Sequence, residues 1–89
     1  MNKFNFPHFK LYTGAEIRAI RQTLRDSRSR FAKRFLLDFE TIKAWENEEN
    51  PRKPTGPANV IMQELERFAQ EIKTEQRRVL ESVRNRSKE

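Results

Sequence analysis

The sequence predicts an all-α fold, a small helical bundle that ends in a long helix. Three observations predict it. Three short segments carry apolar residues at helical spacing, each just after a residue that caps helices: Thr13, Ser27 and Asp38. A loop, "ENEENPRKPTGP" (46–57), concentrates three prolines and a glycine. From Ala58 to about Arg86 there is neither proline nor glycine, and apolar residues recur every three or four positions. The chain has 89 residues, enough for one small domain with a modest core that dimerisation often supplements. The pattern divides it into an aromatic arm (1–12), a three-helix unit (13–56) and a long C-terminal helix (57–89).

The arm carries Phe4, Phe6, Phe9 and Tyr12. Phe4 and Phe6 alternate as in a short strand, and Pro7 ends the alternation. The first helix follows Thr13. Thr13 and Glu16 have capping-box spacing, and Tyr12 with Ile17 form a hydrophobic staple. Ile17, Ile20 and Leu24 face a core, with Arg18, Arg21 and Arg25 on a neighbouring face.

The second helix runs from about Arg28 to Phe35 after the Ser27 cap. Its first turn holds Arg28 and Arg30, where the helix dipole favours acids. Leu36 and Leu37 make a short turn. Asp38 caps the third helix, Glu40 sits in its first turn, and Ile42 and Trp45 are its buried pair. Pro57 stands near the start of the long helix, where proline is tolerated. Its stripe, Ile61, Leu65, Phe68, Ile72, Gln76, Val79 and Val83, averages about 3.67 residues per step, nearer an eleven-residue repeat than a heptad. A helix of some thirty residues reaches about 45 Å, more than so small a domain covers. The surplus, Phe68, Ile72, Val79 and Val83, is the expected homodimer interface. The alternative uses Ile61 and Leu65 with the arm, and a further one has the helix fray after about Lys73.

Composition narrows the chemistry. There is no cysteine, which excludes disulfides, thiolate zinc and thiol catalysis and fits a reducing cytosol. The only histidine, His8, leaves no catalytic triad and no metal set. No cofactor, metal or enzymatic activity is expected. No run is apolar enough to span a bilayer, and "MNKFNFPHFKLY" is no secretory core, so no membrane partner is expected. The net charge is +6 and the pI about 10.2, which suggests a polyanionic partner. The excess is local. Arg18 to Arg34 holds seven basic residues and one acid, whereas Pro57 to Glu89 holds seven and six.

Two short helices joined by a tight turn behind a first helix make a helix-turn-helix unit. The stretches "EIRAIRQTL" (16–24), "SRSRFAKRF" (27–35), "ETIKAWEN" (40–47) and "PTGPA" (54–58) resemble the Xre/Cro-type, phage-repressor-like helix-turn-helix family. The resemblance covers residues 13 to about 68, and "PTGPA" looks most like the HigA- and MqsA-type antitoxin regulators. Three positions depart from the family pattern: Asp26 where an apolar residue is usual, Leu36 where the turn has glycine, and Glu48 where glycine closes the third helix. Leu36 is therefore expected in the left-handed region.

The resemblance implies a cytoplasmic protein of bacterial or phage type that binds double-stranded DNA as a homodimer on a pseudo-palindromic operator. The second helix would aim its N-terminus at a phosphate, with Ser27, Arg28, Arg30, Lys33, Arg18 and Arg25 as the phosphate-contacting set. The third helix would enter the major groove with Phe39, Glu40, Thr41, Lys43, Ala44 and Asn47 as base readers. Phe39 has a second reading as a cover for the core. The leading functional expectation is a dimeric repressor of its own or a neighbouring operon. The alternatives are an antitoxin that also neutralises an RNase-type toxin protein, and an interaction adaptor whose helix-turn-helix has decayed.

Overall fold

The computed structural model describes residues 9–87; Phe4, Phe6, Pro7 and His8 lie outside the described residues, as do Lys88 and Glu89. Four helices follow in order: α1 (Gly14–Thr23), α2 (Arg28–Arg34), α3 (Phe39–Glu46) and α4 (Pro57–Ser87). The fold is all-α, a small helical bundle with a long C-terminal helix.

Each short helix begins as its cap residue dictates. Thr13 and Glu16 form a complete capping box on α1, and Tyr12 and Ile17 are both buried beside it. The Ser27 hydroxyl accepts from the Arg30 amide, and the Asp38 carboxylate accepts from the Thr41 amide. The ends are equally specific. The Asp26 amide donates to the Arg21 carbonyl and the Arg25 amide to Gln22. Leu37 and Leu36 repeat that pattern on Ala32 and Lys33. Both are Schellman closures, and both place a residue in the left-handed region: Arg25 at φ 59° and Leu36 at φ 57°. Leu36 adopts the conformation expected of it; Arg25 repeats it without a glycine to signal it.

The core joins Tyr12, Ile17, Ile20, Phe31, Ala32, Phe35, Ile42, Trp45, Met62 and Ala69. Phe35 packs edge-on against both Phe31 and Trp45, with ring centroids 5.2 Å apart in each pair. α1 crosses α3 so closely that a Cβ on Gly14 would overlap the Glu46 carbonyl. Glu48, in the position expected to be glycine, accepts from the Ala15 amide at 2.6 Å and so places a carboxylate on the first turn of α1. Lys53 then closes α3, its Nζ donating to the carbonyls of Trp45 at 2.7 Å and Asn47 at 3.0 Å.

The arm and the loop are pinned by α4. Asn59 is fully buried; its amide donates to the carbonyls of Lys10 and Pro54, and its oxygen accepts from the Lys10 amide. Lys10 and the Tyr12 hydroxyl both donate to Glu66, at 2.6 and 2.8 Å. Burial and that contact push the Tyr12 phenol well above its ordinary pKa.

The stripe assigned to α4 needs a correction. The face that packs on α1 centres on Met62 and Ala69, with Asn59 and Glu66 beside them; Ile61 and Leu65 only flank it. At about 100° per residue, this face lies roughly a quarter turn from the Phe68–Val79–Val83 line. Buried Asn59 and half-buried Glu66 carry that shift as fastenings for the arm, a role apolar periodicity does not register. α4 does not end near Lys73 but continues to Ser87.

Candidate nucleic-acid interface

Asp26, the acid within the basic stretch, and Glu46, the last residue of α3, are both buried, at 5% and 2% exposure. Asp26 is held by a bidentate contact from Arg34. Its position beside α2, where an apolar residue was expected, is thus filled by a neutralised pair.

Glu46 gathers three guanidiniums. Arg21 reaches both its oxygens, at 2.6 and 3.1 Å, Arg28 lies at 3.1 Å and Arg18 at 3.5 Å. Burial alone raises a carboxyl pKa, but the hydrogen bonds and charges of Arg21 and Arg28 outweigh it and hold Glu46 below its ordinary value. The first-turn position of Arg28 thereby has an internal explanation. Its charge is answered by the Glu46 carboxylate at the same end of α2.

With these acids turned inward, the outer surface keeps the cations. Arg18, Arg25, Arg30, Lys33 and Lys43 are exposed, and among the described residues Arg25, Arg30, Lys33 and Lys43 make no ion pair. Two shallow depressions lie in this surface. One, of about 360 Å3, is lined by Asp26, Arg30, Lys33 and Arg34. The other, of about 240 Å3, lies between α1, α2 and α3 and is lined by Arg18, Arg28, Lys43, Glu46 and Asn47. It brings together residues expected at phosphate and residues expected at bases.

The remaining candidates divide by exposure. Glu40 and Asn47 are exposed, Thr41 and Ala44 half-buried. The Thr41 hydroxyl donates to Asp38 at 2.8 Å, and that contact, with the amide bond, depresses the Asp38 pKa. Phe39 is partly exposed beside Leu37 and the fully projecting Leu36, so the turn between α2 and α3 carries an apolar tip. Ser27 spends its hydroxyl on the α2 cap. Sequence reasoning missed Glu46 and Lys53 as organisers, because their partners are set by helix crossing and loop path, not by spacing along one helix. Compared with protein-family models, curated proteins and solved structures, the chain matches none.

Proposed function

We propose that the outer surface of α2 and α3 binds double-stranded DNA and that the protein is a sequence-specific regulator of the Xre/Cro helix-turn-helix type, a dimeric repressor of its own or a neighbouring operon. The observation that carries this reading is the sorting of charge. Asp26 and Glu46 are buried and neutralised, while Arg30, Lys33 and Lys43 stand exposed on α2 and α3, with Arg25 exposed in the turn before α2. A phosphate backbone is the polyanion that such a surface meets over several contacts at once. Beside those cations, α3 offers Glu40 as an acceptor for cytosine N4, Lys43 as a donor to guanine, and Phe39 with Ala44 as apolar contacts for thymine methyls.

Arg30 and Lys33 are the clean probes, since neither is tied to a carboxylate. Titration of DNA from the gene's own upstream region, at several salt concentrations, is expected to show weaker binding by Arg30→Ala and Lys33→Ala. The salt slope should fall by about one unit for each lost phosphate contact. An unchanged slope in both variants removes these residues from the interface.

The exposed Phe9 and Leu11 favour a second reading, in which the arm takes a protein partner such as a toxin while α2 and α3 take DNA.

A further inference from the structure

A groove of about 460 Å3 lies between α3 and the loop that follows it. Thr41 and Trp45 line it from α3 and, at about 100° per residue, fall roughly opposite Lys43 on that helix. Its other wall is the loop 51–55, and Ala58 of α4 also lines it. That wall is held at three points. The Arg52 amide donates to the Asn50 side chain at 2.9 Å, the Lys53 ammonium holds the Trp45 and Asn47 carbonyls, and buried Asn59 donates to the Pro54 carbonyl at 3.2 Å. The groove is thus formed in advance of any occupant, and its volume falls within the roughly 300–1,000 Å3 of small-molecule sites.

The lining is of two kinds. Leu37, Trp45, Pro51 and Ala58 are apolar, and Leu37 is left 39% exposed. Arg52 and Lys53 are cations. No acid lines the groove, and among the described residues neither cation makes an ion pair. Asp38 feels the Arg52 charge but accepts from the Thr41 amide and hydroxyl instead. Lys53 is half-buried, and its two bonds to carbonyls leave one of its three N–H donors. We propose that the groove binds a small carboxylate with an apolar body, the carboxylate on Lys53 and Arg52 and the body against Leu37, Trp45 and Pro51.

Each half of the lining argues against a simpler occupant. A bare phosphate would meet the cations and leave the apolar wall in water. A neutral hydrocarbon would cover that wall and further desolvate an ammonium whose charge it cannot answer. A carboxylate on an apolar body does both, through charge-assisted hydrogen bonds and apolar burial. Lys53 also joins the groove to the end of α3. A carboxylate drawn onto its ammonium competes with the Trp45 and Asn47 carbonyls, and Asn47 stands on the surface proposed for DNA. Only that consequence rests on the DNA reading; the site does not.

Trp45 is the only tryptophan in the chain and lines the groove, so its emission reports on occupancy. The full chain is titrated with phenylbutyrate, with phenylbutanol as the neutral counterpart and inorganic phosphate as the bare anion, and amide chemical shifts locate the binding. Saturation by phenylbutyrate is expected, about tenfold tighter than by the alcohol or by phosphate, with shifts centred on Leu37, Thr41 and residues 51–55. Arg52→Gln should weaken binding by about threefold to fivefold, as loss of an exposed charge does, and Lys53→Met by about tenfold. Thr55→Phe, which fills the groove and keeps both charges, should abolish it. No saturation by about 10 mM overturns the proposal. Equal affinity for the alcohol overturns it too, as does equal affinity for phosphate, which would mark a contact for a nucleic-acid backbone. Unchanged affinity in both Arg52→Gln and Thr55→Phe also overturns it, whatever Lys53→Met does to folding, since both alter exposed positions. DNA binding is measured apart: a chain that takes phenylbutyrate and not DNA refutes the regulator reading alone, and the reverse refutes the groove alone.

Discussion

Arg21, Arg28 and Arg18 converge on a carboxylate that water does not reach, and the cost of burying Glu46 is offset only while they stay. The sign of the linkage follows from the depressed pKa. The native state binds the ionised form better than the unfolded chain does. The pair therefore contributes in full above the unfolded carboxyl range, near about pH 4.3, and its contribution is lost as pH falls through the native value. Glu46→Gln keeps the volume and removes the charge. Loss of one partner of a buried pair costs about 3–5 kcal/mol, and the lower end is expected here because Arg18 and Arg28 can rehydrate. Thermal unfolding of the variant at neutral pH should fall by about 10–20 °C. Below pH 4 the gap between wild type and variant should narrow. An equal gap at all pH values would show that the Glu46 charge is not what is lost.

Among the elements, the turn between α2 and α3 combines a left-handed non-glycine residue with an exposed apolar side chain. Leu36 is left-handed and 93% exposed, so its side chain gives nothing back to the core. A non-glycine residue there costs about 1–2 kcal/mol. Leu36→Gly is expected to stabilise the protein by about 0.5–1 kcal/mol, less than the strain because glycine also raises the entropy of the unfolded chain. Urea unfolding measures it, and an unchanged or lower midpoint would mean that Leu36 is held by contacts its exposure does not suggest. This turn also shows what a sequence carries and what it does not. Thr13, Ser27 and Asp38 act on amides two or three residues away, so the helix starts were legible, as were the Ile42–Trp45 face and the left-handed Leu36. The Asp26–Arg34 and Glu46–Arg21 pairs join residues 8 and 25 positions apart, and only the packing of α1, α2 and α3 brings them together. The face of α4 was misjudged for the same reason, since Asn59 is buried, and Glu66 half-buried, by what they fasten rather than by what they are.

At the scale of the whole molecule, the fold is unequal: a packed unit built on α1 to α3 and the first turns of α4, and a projecting rod. The principal extents, 55 × 35 × 23 Å, reflect that rod. Because no residue from Lys73 to Arg86 is buried, the two parts separate cleanly on paper. Truncation after Lys73 removes Val79 and Val83 from the expected dimer interface while leaving Met62, Ala69 and the arm fastenings in place. The shortened protein is expected to keep the helical signal of residues 14–73, to unfold cooperatively, and to be monomeric by light scattering. Its contacts to one half-site are unchanged, but the second half-site is no longer delivered at high local concentration. Affinity for a two-fold operator should therefore drop by about 100-fold or more, while affinity for an isolated half-site stays within a few-fold of the full chain. Equal losses on both DNAs would mean that α4 supports the DNA surface itself, and a truncated protein that remains dimeric would move the interface to Ile61, Leu65 and the arm.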